Sequence, residues 1–113
     1  LEIRYSFDRE RSVATLALVG AFDLLCVDAF TEEVAAKVGT EVRRVLIDLA
    51  QLTSIDSSGI GALIVWNRRL GVSKGEIHLC RPSPGVKKLL HMLNLHTVFK
   101  IHDEIEAALE AVQ

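Results

Sequence analysis

The stretch Ile55-Asp56-Ser57-Ser58-Gly59-Ile60-Gly61-Ala62-Leu63 joins the strongest strand signal in the chain to its strongest helix signal. Upstream, Arg44-Val45-Leu46-Ile47-Asp48-Leu49 is the short apolar run that a buried parallel strand needs. Downstream, Ile60, Leu63, Ile64 and Asn67 recur at helical spacing. The polar residues between them turn a strand into a helix. The first backbone N–H groups of a helix have no partner within it, and a Ser or Asp oxygen just ahead can accept from them. Ser58, with Asp56 and Ser57 beside it, is the expected cap. Gly59 and Gly61 each cost roughly 1 kcal/mol relative to Ala inside a helix. A Gly-Ile-Gly opening therefore implies that something approaches the backbone closely, or that the turn has unusual geometry.

Outward from this junction, hydrophobic periodicity assigns the remaining elements. Glu2 to Phe7 alternates with period two, Asp8-Arg9-Glu10-Arg11 is a polar turn, and Val13 to Val19 is a second strand, so the chain opens with a β-hairpin. Gly20-Ala21-Phe22-Asp23 ends it. Val27, Phe30, Val34 and Val38 form the apolar stripe of a first helix that stops near Gly39. The central helix spans Gly59 to about Leu70, and Ala62, Val65 and Trp66 make it apolar almost all round. Gly71 and Gly75 bracket a turn before a strand over Glu76 to Cys80. Ser83 followed by Pro84 predicts a capped helix to about Met92 or Leu93. A short strand over Thr97 to Ile101 follows. Asp103 and Glu106 form a capping box, and Ile105, Ala108, Leu109 and Val112 give the closing helix its stripe. The order β-β-α-β-α-β-α-β-α predicts a single α/β domain over residues 1–113, with about five strands and four helices, parallel after the hairpin.

Composition narrows the function. The chain has 113 residues, half of them hydrophobic, which suffices for one core. Its 15 acids outnumber 13 Lys and Arg, and the pairs Arg43-Arg44, Arg68-Arg69 and Lys87-Lys88 are scattered, so no basic stripe suited to nucleic acid exists. No apolar run reaches the roughly 20 residues that cross a bilayer, and no basic-then-apolar leader opens the chain. The expectation is a cytoplasmic protein without a membrane partner. Cys26 and Cys80 lie far apart with no His or Cys at metal-ligand spacing, and read as small buried hydrophobes rather than a disulfide, redox pair or metal site.

Enzyme signatures are missing as well. Neither a Gly-x-Ser-x-Gly elbow nor a phosphate-binding glycine loop is present, and His78, His91, His96 and His102 share no motif with Ser57 or Ser58. No catalytic residue, metal or cofactor is expected. Val45-Leu46-Ile47-Asp48-Leu49 is similar to the phospho-acceptor strand of a response receiver. Receivers also need an acidic pair after their first strand, and Phe22-Asp23 offers one acid alone.

The chain more fully resembles the STAS domain, the sulfate-transporter and anti-sigma-factor-antagonist fold, and within it the free-standing bacterial antagonists. Gly20-Ala21-Phe22-Asp23-Leu24 matches the family's Gly-x-[Leu/Phe/Ile]-Asp turn. Val45 to Leu49 followed by Ile55 to Gly61 matches its signature, and Val86, Leu89, Leu93, Leu95, Phe99 and Ile101 match its distal apolar pattern. Phe22, Trp66 and Cys26 depart from the commoner residues. The resemblance implies that Ser58 is phosphorylated by a partner that is both anti-sigma factor and ATP-dependent serine kinase, and that a PP2C-type phosphatase reverses it. Asp23, Asp56, Ser57, Gly59, Ile60 and Gly61 are the implied partner-binding positions. The same fold also serves as a scaffold or sensor module of larger assemblies and transporters, where this serine goes unmodified.

Overall fold

A computed structural model describes residues 1–39, 42, 44–72 and 76–111, with the side chains of residues 71, 72 and 111 left out of the description. Arg43 of the first basic pair, Gly75 of the predicted turn and Val112 of the closing stripe lie outside the described residues. Strands β1 (Glu2–Asp8) and β2 (Val13–Phe22) form the predicted antiparallel hairpin. Helix α1 (Val27–Lys37), strand β3 (Arg44–Asp48), strand β4 (Leu52–Ile55) and helix α2 (Ser57–Val72) follow. Strand β5 (Glu76–Cys80), helix α3 (Pro84–Met92), strand β6 (Lys100–His102) and helix α4 (Ile105–Ala111) complete the chain. The sheet order is β1-β2-β3-β5-β6, parallel beyond the hairpin, with β4 attached to β2.

Among the described residues six strands are present where about five are predicted, and β4 is the addition. The long strand β2 pairs its first half, Val13 to Ala17, with all of β3, which stops at Asp48. Its second half, Gly20 to Phe22, would leave backbone groups unpaired, and β4 satisfies them in parallel register. Gly20 sits at the changeover, with φ of 101° and a register shift beside it, and its N–H donates to Gln51 O at 3.1 Å. The last predicted strand also moves. Leu95–Thr97 is a 3-10 turn, Phe99 N–H donates to Leu95 O at 2.8 Å, and pairing with β5 begins only at Lys100.

Period-two alternation distributes the strand residues between two layers. Val45, Ile47 and Leu49 join Phe30 and Val34 of α1, Leu63 and Trp66 of α2, and Val86 and Leu90 of α3 in the main core. On the opposite face, among the described residues, Leu46, Val13 and Cys80 meet only Ala108, Ile105 and Leu109 of α4. Ser83 caps α3, its Oγ accepting from Val86 N–H at 3.3 Å, with Pro84 at the first helical position as predicted. Helix α4 starts at Ile105, and Asp103 pairs with Lys87 of α3 at 2.8 Å. Of the histidines, His78 is fully buried, with ring nitrogens 3.0 Å from His102 Nε2 and 2.8 Å from Glu76 Oε1. His91 and His96 are exposed and stack on one another. Burial pushes the Cys80 thiol up to about 12, so it is inert at neutral pH.

Candidate functional site at the start of helix α2

The register that adds β4 also builds the site. Phe22 and Ile55 are paired residues, so Asp23 and Asp56 each stand one step beyond the same rung of the sheet. Asp56 N–H donates to Phe22 O at 3.2 Å, and its carboxylate accepts from Gly59 N–H at 3.0 Å while its carbonyl accepts from Ile60 N–H. Asp56, not Ser58, is therefore the cap of α2. The helix begins two residues earlier than predicted, because an Asp one position ahead of Ser57 already reaches the orphan N–H groups. Ser57 and Ser58 occupy its first turn, Ser57 exposed and Ser58 half-buried. Among the described residues no hydrogen bond engages the Ser58 hydroxyl.

The two glycines separate in role. A Cβ at Gly59 would lie 2.7 Å from Phe22 O, 2.9 Å from Ile55 Cγ1 and 3.0 Å from Phe22 Cγ. The close approach predicted from the Gly-Ile-Gly opening is thus the end of β2 packed against the first turn of α2. A Cβ at Gly61 would meet nothing within 4 Å. Ile60 points inward and is buried in the main core. Of the seven predicted positions, Asp56 and Ser57 are exposed, Asp23, Ser58 and Gly61 are half-buried, and Gly59 and Ile60 are buried.

Asp23 caps a short 3-10 turn, Leu24–Cys26, accepting from Leu25 N–H at 3.0 Å and lying 3.4 Å from Cys26 Sγ. This turn leaves Leu24 69% and Leu25 91% exposed. Beside it opens a groove of about 420 Å³ between α1 and α2. Val27, Thr31 and Val34 line one wall; Ser58, Gly61, Ala62, Val65 and Arg69 line the other. Phe30 and Trp66 form its floor in edge-to-face contact at 5.7 Å, and Phe30 in turn packs on Phe22 at 4.8 Å. Two residues that depart from the family pattern, Phe22 and Trp66, are therefore joined through Phe30 in one aromatic column. The groove escapes a reading by segments because its walls come from two helices. The signal available was Val65, apolar yet off the core stripe of α2, and it is 47% exposed.

The family profile described as "Mlab, STAS domain" matches residues 5–109. The chain belongs to the STAS family. A STAS-domain containing protein of Pseudomonas aeruginosa is 32% identical over 77% of this chain and 85% of its own length. The anti-sigma F factor antagonist of Paenibacillus polymyxa is 24% identical over 97% of this chain and 96% of its own. In structure, unphosphorylated SpoIIAA, an anti-sigma factor antagonist from Bacillus, superposes with a TM-score of 0.81 at 22% identity, covering 98% of this chain and 96% of that one. SpoIIAA has also been solved phosphorylated. Several other relatives carry the name anti-sigma factor antagonist, putative in most cases. Among the described residues no helix is long and apolar enough to cross a membrane, and no three His, Cys, Asp or Glu side chains are grouped to hold a metal.

Proposed function

We propose that this STAS protein is a phosphorylation-controlled antagonist. In its unmodified state it binds an anti-sigma factor that is also a serine kinase, and so releases a sigma factor in the cytoplasm. The observation that carries this reading is the Ser58 hydroxyl, half-exposed, unengaged and set in the first turn of α2 at the lip of an apolar groove. The names of the relatives and the two solved states of SpoIIAA support it. In the reaction, Ser58 Oγ attacks the γ-phosphorus of ATP, the bond to ADP breaks, and a base on the kinase takes the hydroxyl proton. A PP2C-type phosphatase returns the serine by hydrolysis. Asp23, Asp56, Ser57 and Gly61 meet the partner, while Gly59 and Ile60 act from beneath by fixing the turn. The whole of residues 1–113 acts as one domain, and the chain supplies no catalytic group of its own.

Magnitudes decide why a phosphate would release the partner without unfolding the domain. A phosphoserine adds about −1.5 to −2 charges. In the first turn of a helix, charge of that sign is favourable by about 0.3 to 1 kcal/mol. Under a docked partner the same group loses its water, at a cost of several kcal/mol if unpaired, and about 1.4 kcal/mol already changes affinity tenfold. The carboxylates of Asp23 and Asp56 add repulsion from the same surface. The interface effect dominates.

The test is to mix the protein with candidate anti-sigma kinases and ATP and to map the product by mass spectrometry. One phosphate on Ser58, absent from Ser58→Ala, is the expected result. Ser58→Asp should weaken kinase binding by tenfold or more while changing folding stability by less than about 1 kcal/mol. A phosphate carried elsewhere, or a Ser58→Asp protein that binds as tightly as the parent, would overturn the proposal.

A further inference from the structure

The wall of the groove has a polarity that the Ser58 switch does not use. Ser58, Gly61, Ala62, Val65 and Arg69 recur at i, i+3, i+4, i+7 and i+11, one stripe running the length of α2. At 1.5 Å rise per residue, Ser58 and Arg69 stand about 16 Å apart, three helical turns. A second cavity of about 350 Å³ shares Val34, Trp66 and Arg69 with the first, so the seam continues past Arg69 toward Val38 and Val42. Among the described residues Arg69 is the one charged side chain on the walls of either cavity, and it makes no hydrogen bond or ion pair with any of them. A guanidinium over an apolar trough is suited to a carboxylate.

The shape selects the occupant. The groove opens to solvent, and its lip carries apolar residues on both sides: Leu24 from the 3-10 turn and the 47% exposed Val65 from α2. Gly61 adds a bare stretch where even a Cβ would touch nothing. A single acyl chain lying in the trough would touch Leu24 and Val65 from one side and leave much of their exposed surface in water. A helix, about 10 Å across with its side chains, covers floor and lip together and reads them at i, i+3, i+4 and i+7. We propose that the α1–α2 groove receives an amphipathic helix of about three turns, its apolar stripe over Ala62, Val65 and Trp66 and an Asp or Glu against Arg69. Its assignment to the kinase that modifies Ser58 rests on the function proposed above; the class of occupant rests on the groove. The occupied groove then has two charged ends, one fixed and positive at Arg69 and one switchable and negative at Ser58.

The experiment selects helical peptides from a display library against the immobilised, unmodified protein and measures the best by fluorescence anisotropy. The selected peptides should share apolar residues at helical spacing with an acid toward one end. Arg69→Glu should weaken their binding at least tenfold, and changing the peptide's acid to Lys should recover it. Gly61→Leu, which fills the trough from a position with free space, should weaken it comparably, with thermal melts showing both variants folded. Peptides without an acid, binding indifferent to Arg69→Glu, or displacement of the peptides by 11-(dansylamino)undecanoic acid at equal affinity would overturn the proposal, the last in favour of a small amphiphile. No kinase or ATP enters this assay. Peptide binding together with a failure to phosphorylate Ser58 would remove the function proposed above and leave the helix site standing, and the converse pattern would do the reverse.

Discussion

Asp48 and Asp56 each stand at the C-terminal end of a short parallel strand, and they are put to opposite uses. Asp48, at the end of β3, is 8% exposed. Its oxygens accept from Arg81 Nε at 3.0 Å and from Arg81 Nη2, and Oδ1 accepts from Ala50 N–H at 3.1 Å. Asp56, after β4, is exposed and makes a single capping bond to Gly59. The first carboxylate is desolvated and forked onto a guanidinium, so it ties the ends of β3 and β5 together. The second holds one backbone N–H and leaves the neighbouring Ser58 hydroxyl unengaged. One end of the sheet is locked, and the junction beside it is presented to solvent. This also weakens the receiver-like reading of Val45 to Leu49, since a phospho-acceptor must be reachable and Asp48 is already bound on both oxygens.

The largest expected effect is on the locked end. Among the described residues, Arg81→Ala would leave the Asp48 carboxylate with only the Ala50 N–H. Removing one member of a buried pair costs about 3 to 5 kcal/mol, and the partial exposure of Arg81 reduces this to about 2 to 3 kcal/mol. Arg81 also adopts a left-handed backbone, with φ of 53°, which the bidentate contact helps to hold. Urea unfolding should show the midpoint fall with the slope unchanged. An unmoved midpoint would mean that the pair does not lock this end. At the presented end the effect should be smaller: Asp56→Ala removes a helix cap, worth about 1 kcal/mol. If the comparison holds, Asp56→Ala costs less stability than Arg81→Ala but changes kinase binding more, because it alters the surface around Ser58.

What could be read in advance follows the same division between local and non-local causes. The helix start at Ser83-Pro84 and the stripe of α1 are local, and both appear where the residues imply. The close approach at Gly59 was legible as a need, although Phe22 as its source was not. Strand β4 was not legible, since Leu52-Thr53-Ser54-Ile55 has an exposed polar middle and pairs only because β2 outruns β3. Val98 and Phe99 read as strand by composition, yet Phe99 is buried beneath a 3-10 turn whose carbonyl takes its N–H. The cap passed from Ser58 to Asp56 for a related reason. Either side chain suits the role, and only the bond from Asp56 N–H to Phe22 O settles which one stands ahead of the helix.

The two glycines of α2 give the finest version of the comparison, because they differ in surroundings and not in chemistry. Adding a methyl group at either position gains helix propensity, about 0.5 to 1 kcal/mol over Gly. At Gly59 that gain meets the Phe22 carbonyl and ring and the Ile55 side chain at 2.7 to 3.0 Å, and the backbone carbonyl cannot give without moving β2. Overpacking of this kind costs about 1 to 3 kcal/mol, so Gly59→Ala should be net destabilising and should disturb the turn that presents Ser58. At Gly61 nothing opposes the gain, and Gly61→Ala should raise stability by about 0.5 to 1 kcal/mol. Thermal melts of the two variants side by side check both signs. Should Gly61→Ala destabilise the protein instead, the groove would be narrower than its walls indicate, and room for a helix there would be lost.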